Sequence, residues 1–244
     1  MNVPSDDETG KYYEDMDQIE PEALYDERTN VSRARPLLQG DVFDDVVLPG
    51  FGEEPNKVQI IAHPCAMRTG AALTPRITVA PVEPHQLVKG KGWQGSPRVM
   101  PLADLVEGEH FATKFIDVTA CPAGLLARDR RIATLSHQGI YVLQQRLIKH
   151  YTRTEMALEV LRSQSAPVLT EAELLWEWLE RVLTEAEIGD DEALDTEAGA
   201  FEEWMRDGSP SPQRRLRTEI HHTDVRREAQ RASAERAKAR EDQG

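Results

Sequence analysis

The chain has 244 residues, of which 39% are hydrophobic and 30% charged, with a formal net charge of −14. That balance excludes a single large apolar core, and two cysteines, Cys65 and Cys121, exclude a disulfide framework. No apolar run approaches the roughly 20 residues of a membrane helix, so no membrane contact is expected. The acidic start, "MNVPSDDETGKYYEDMD", lacks an apolar signal core, so a cytoplasmic chain is expected.

The charge is unevenly spread. Residues 1–30 carry ten acids and two bases, and 31–169 carry 13 acids and 16 bases. Residues 170–208 carry 14 acids and two bases, and 213–240 carry four acids and nine bases. A mildly basic middle lies between acidic flanks, with a basic tail behind. The overall acidity therefore does not exclude a nucleic-acid partner for the middle.

Residues 1–34 have few large apolar groups and high charge, and are expected to be disordered. From Arg35 to about Arg131 the pattern is β. "GDVFDDVVLPG" (40–50), "KVQIIAH" (57–63) and "TPRITVAPV" (74–82) read as strands separated by polar turns. The segment 83–97 reads as a long loop, "HFATKFIDVTA" (110–120) as a strand, and "GLLARDRRIATL" (124–135) as the end of the β region. Short strands at such spacing predict a small, strongly bent sheet or barrel.

Ser136 is a predicted N-cap, and Ile140, Leu143, Leu147 and Ile148 make the stripe of an amphipathic helix. A second helical piece (153–164) is expected to end at Pro167. Thr170 and Glu173 read as a capping box opening "TEAELLWEWLERVL". Another acidic helix follows, with Leu194, Ala198, Phe201 and Met205 on one side. After the linker 207–213, the tail is expected to be a lone or frayed helix, because it has almost no apolar stripe.

The middle of the chain resembles the MazF/PemK family, small SH3-like barrels that serve as the toxins of toxin–antitoxin pairs. The likeness runs over about residues 36–151. Gly40-Asp41-Val42 is similar to the family's opening "GD[IV]" strand, and "VAPVEP" (79–84) to its "V.PI[TS]". "TKFIDVTACP" (113–122) stands at the place of its "VDQVR" strand pair. "RRIATLSHQGIYVLQQRLIKHY" is similar to its short strand, "LS" and final helix. The resemblance implies an α+β chain with a closing helix on the barrel, a homodimer, and sequence-selective cleavage of single-stranded RNA without metal or cofactor.

The resemblance also assigns residues. Lys57 stands where the family has a catalytic arginine, and Glu83 where it has a threonine or serine. A lysine neutralises phosphate only as a point charge, and a glutamate there would serve as a general base. Arg68 and Arg76 would contact phosphate. "VKGKGWQGSPR" (88–98) offers Lys89 and Lys91 to phosphate and Trp93 for base stacking.

Other readings stay open. His63 and Cys65 would face one way on a strand, as a thiol with its histidine, as metal ligands with Cys121 and His85 or His110, or as a buried strand end. The buried end is preferred, and no metal is expected. The organisation expected is a disordered segment (1–34), the barrel with its helix (35–152), an acidic helical extension (153–206), and a linker with a polar basic tail (207–244). The alternative to RNA binding is a non-catalytic module that recruits an antitoxin-like or other protein partner through its acidic helices.

Overall fold

The computed structural model describes residues 21–69, 71–89 and 92–242. They divide into two compact units. The barrel unit comprises the described residues up to Val31, Leu38–Met67 and Pro75–Gln164. The helical unit comprises Ser32–Leu37, Arg68–Thr74 and the residues from Ser165 onward. The division thus differs from the linear one expected: the helical unit draws in two short pieces from between barrel strands, and it includes the basic tail.

The barrel unit is a nearly closed, small antiparallel barrel, and the chain as a whole is α+β. Its strands are β1 (Tyr25–Arg28), β2 (Val42–Val46), β3 (Asn56–Ile60), β6 (Arg76–Pro84), β7 (Val99–Val106), β8 (Glu109–Lys114), β9 (Thr119–Pro122) and β10 (Arg131–Leu135). The ladder order is β1-β10-β2-β3-β6-β8-β7, with β9 also paired to β6. Side chains bridge the two ends of this path. Tyr25 Oη donates to the Ala103 carbonyl at 3.0 Å, and the Arg28 guanidinium meets Asp104 Oδ2 at 2.6 Å. Burial pushes the Tyr25 phenol up, so it remains a donor at neutral pH. The hydrogen bond from Arg28, with another from the Gly108 N–H, holds the Asp104 carboxyl below its ordinary range.

Two expectations change here. Residues 21–28, expected within a disordered segment, form a 3₁₀ turn and edge strand β1, with Leu24 and Tyr25 buried; residues 1–20 lie outside the described residues. Strand β7 falls in 98–109, a stretch to which the sequence reading assigns no element. Its Pro101 lacks an N–H, which the edge position of β7 tolerates.

The Gly-Asp pair at the start of β2 has a structural task. Gly40 has φ +95°, and a Cβ there would come within 2.5 Å of Leu135 Cδ1. Asp41 is then placed to accept from the Leu38 N–H (3.0 Å) and from Arg131 of β10 (2.9 Å), with both side chains out of water. Helix α1 (His137–Thr152) closes the unit. Ser136 caps it as expected, its Oγ accepting from the Gly139 N–H at 3.1 Å.

In the helical unit, β4 (Arg68–Thr69) pairs with β5 (Ala72–Leu73). Helix α2 (Leu158–Val182) belongs to the barrel unit as far as Gln164 and to the helical unit beyond it. It does not stop at Pro167, and Thr170 is inside it rather than at its cap. Proline at that point removes one bond to the Ser163 carbonyl, a local loss that the long apolar face outweighs. Leu174, Leu175, Trp178, Leu179 and Val182 of α2 pack with Leu194, Ala198, Phe201 and Met205 of α3 (Asp191–Arg206).

The tail, expected to be lone or frayed, is helix α4 (His222–Glu241), which joins that core. Its stripe is Val225, Ala229 and Ser233, small residues four apart that let the helix approach closely. Its arginines neutralise the acidic helices. Arg226 bonds Glu173 and Glu177 of α2, and Arg236 and Arg240 clasp the fully buried Glu197 of α3 at 2.7–3.0 Å. The acidic extension is thus charge-matched in part within its own unit.

Candidate nucleic-acid interface

Cations and an exposed aromatic gather in the barrel unit between the start of β7 and the end of α1. The device that positions them is Arg146 of α1. Its buried guanidinium donates to the Val99 carbonyl at 2.7 Å and to the carbonyls of Trp93 and Ser96. A planar five-donor group is suited to pinning three carbonyls of one irregular segment. Residues 93–99 are thereby fixed against the helix, with Arg98 exposed just before β7. The Arg98 carbonyl accepts from the Phe115 N–H at 3.0 Å.

One turn further along α1, the His150 ring meets Phe115 edge-on at 5.7 Å and Tyr151 at 4.8 Å. Tyr151 is 61% exposed and Ile116 is 74% exposed. Arg153 caps the helix in the left-handed region, at φ +61°, with its side chain in solvent. Burial lowers the His150 pKa, and the charges of Arg153 and Arg98 lower it further, so the ring is neutral at pH 7. Among the described residues, neither Arg98 nor Arg153 forms an ion pair. Lys149, by contrast, is tied to Glu155 at 2.8 Å. The arrangement presents two guanidinium groups without an ion pair among the described residues, one exposed ring, and exposed Ile116 next in sequence to Phe115. Such a surface can hold phosphate and stack a base.

The residues expected from sequence lie elsewhere. Lys57 is opposite Val82 in the β3–β6 ladder, so Glu83, one residue on, projects from the other face. Lys57 is bonded to Asp44 at 2.8 Å, and Glu83 to Lys114 at 3.4 Å. The ladder does not bring Lys57 and Glu83 together as an acid–base pair. Arg68 is in the helical unit and donates to the Leu37 carbonyl at 3.1 Å. Arg76 is exposed at the first position of β6, opposite Pro122. Lys89 is exposed on the loop, without an ion pair among the described residues; Lys91 lies outside them.

Trp93 is corrected by its burial. It is 5% exposed, with the Arg146 guanidinium over its ring at 5.6 Å, so its face is not open to a base.

The His63–Cys65 stretch is corrected in part. β3 ends at Ile60, and Pro64–Met67 is one helical turn. His63 Nδ1 accepts from the Cys65 N–H at 3.3 Å, and the Cys65 thiol is exposed while Cys121 is buried. Burial lowers the His63 pKa and raises that of the Cys121 thiol. Among the described residues no group of three or more His, Cys, Asp and Glu side chains is gathered to hold a metal. Nor is any described helix long and apolar enough to cross a membrane.

Of the interface residues, Arg98 closes the basic segment 88–98 that the sequence offers to nucleic acid, whereas His150, Tyr151 and Arg153 were not singled out. The only local signal is "KHYTR" at the end of α1, a basic and aromatic run of a kind common at helix ends. No protein-family model matches the chain, and no curated protein matches it.

Proposed function

We propose that the barrel unit binds single-stranded RNA through Arg98, Tyr151 and Arg153, with His150 as the support between them. The observation that carries this reading is two exposed arginines, unpaired among the described residues, beside an exposed tyrosine whose ring is braced by His150. The guanidinium groups take two phosphates, Tyr151 stacks a base, and Ile116 covers its edge. A nearly closed small barrel is a compatible platform for such a strand. The opposite projection of Lys57 and Glu83 supports binding without cleavage at those residues.

The test is fluorescence anisotropy of the full chain with labelled mixed-sequence single-stranded RNA at two salt concentrations. Binding is expected to weaken as salt rises. R98E/R153E is expected to lower the affinity at least about tenfold and to flatten the salt slope by roughly 1.4, the value for two lost phosphate contacts. Equal affinity in that variant, or no binding by the parent chain at low salt, overturns the proposal. A long incubation of the same mixtures with K57A and E83A included reports cleavage. RNA shortened by the parent chain and intact with either variant would restore the catalytic reading.

A further inference from the structure

The helical unit carries an open groove of about 940 Å³ between α2, α3 and α4. Trp178 and Trp204 line it, their ring centroids 5.8 Å apart, and Phe201 meets both rings at 5.6–5.9 Å. Trp178 is 4% exposed, and its buried indole N–H has no hydrogen-bond partner among the described residues. A buried donor left unsatisfied costs stability, and a partner's carbonyl can complete it.

Charge decides what fits. Of the lining cations, Arg236 is spent on Glu197 and Arg206 on Glu202. Of the lining acids, Glu203, Asp207 and Glu235 form no ion pair among the described residues. Glu203 shares the Arg236 charge with Glu197, so the rim still carries more carboxylate than its arginines neutralise, and with the aromatic wall it is complementary to a cation through ring-face attraction and charge together. The chain's own residues 1–20 are a poor occupant, since they carry seven acids and one base. The basic helix α4 is already committed to the groove's own walls.

We infer that this groove docks an arginine-bearing basic peptide segment of another protein, the guanidinium lying against Trp204 between Glu203 and Glu235. The site is in the helical unit and is independent of the RNA reading. The test titrates the full chain into a labelled Gly-Arg repeat peptide and its Gly-Glu counterpart, read by anisotropy. The arginine peptide is expected to bind in a salt-sensitive way and the acidic one not to bind. E203Q/E235Q, surface changes with little effect on folding, is expected to weaken binding at least about fivefold, as is W204L. R98E/R153E is expected to leave it unchanged. The inference is overturned if the arginine peptide does not bind at millimolar concentration, or if it binds equally well to E203Q/E235Q and W204L. Sedimentation showing a dimer that W204L dissociates would overturn it in favour of a second copy as the occupant.

Discussion

The Asp41 carboxylate and the Arg131 guanidinium are 2.9 Å apart with both side chains shielded from water, tying the start of β2 to β10. A buried pair of this kind is costly to form and costlier to break, because the survivor keeps its charge without a counterion. Asp41→Ala and Arg131→Met are each expected to destabilise the chain by about 3–5 kcal/mol. An apolar replacement of both, D41L/R131M, is expected to cost less than either alone. Urea denaturation of the three variants checks this ordering, and a double variant worse than both singles would contradict it.

Gly139 sits in the first turn of α1, where a Cβ would come within 2.3 Å of the Leu24 carbonyl. Alanine is the better helix former by about 1 kcal/mol, but the clash is with backbone that cannot rotate away. Gly139→Ala is therefore expected to lower stability by about 1–3 kcal/mol and to loosen residues 21–28. Faster amide exchange confined to β1, with α1 unchanged, is the expected pattern. A gain in stability would mean that the N-terminal strand does not press on the helix.

Glu197 offers a pH signature. Burial alone would raise its pKa, but hydrogen bonds and charge from Arg236 and Arg240 outweigh burial and lower it. A depressed carboxyl contributes stability above its unfolded pKa of about 4.3 and loses it as pH falls through the folded value. The parent chain should thus lose this contribution only in acid below about pH 4. In R236Q/R240Q burial is unopposed, the pKa rises, and the sign reverses: that variant gains stability as pH falls from 7 to 5. Its loss at pH 7 is expected to be about 3–5 kcal/mol, measured by thermal unfolding across pH. Parallel pH profiles for the two proteins would refute the account.

Much of the fold was legible because burial repeats with a period. Val58 and Ile60 mark β3, Ile77 and Val79 mark β6, and Leu194, Ala198, Phe201 and Met205 mark the inner face of α3, all of them buried. Legibility failed where a local rule met a tertiary exception. Strand β7 was assigned no element, Pro167 and Thr170 suggested a break that α2 does not make, and Val225, Ala229 and Ser233 made too thin a stripe to reveal that α4 docks. The candidate interface was hidden for another reason. Arg98 and Arg153 are far apart in sequence, and they gather around His150 only because Arg146 pins residues 93–99 to the helix. The Asp44 carboxylate that neutralises Lys57 and the Lys114 ammonium that pairs with Glu83 depend on strand register, which composition cannot supply.

The way the two units share the chain has a consequence for how the protein is made and divided. Ser32–Leu37 and Arg68–Thr74 are synthesised long before the helices whose unit they complete, and barrel strands intervene each time. Arg33 waits for Asp191, and the Ala71 N–H for the Glu202 carboxylate. Closing such long loops is slow, so the helical unit finishes only after the residues beyond Ser165 have been released. No single cut separates the two: a fragment holding the barrel strands carries two orphaned pieces, and the helices alone lack them.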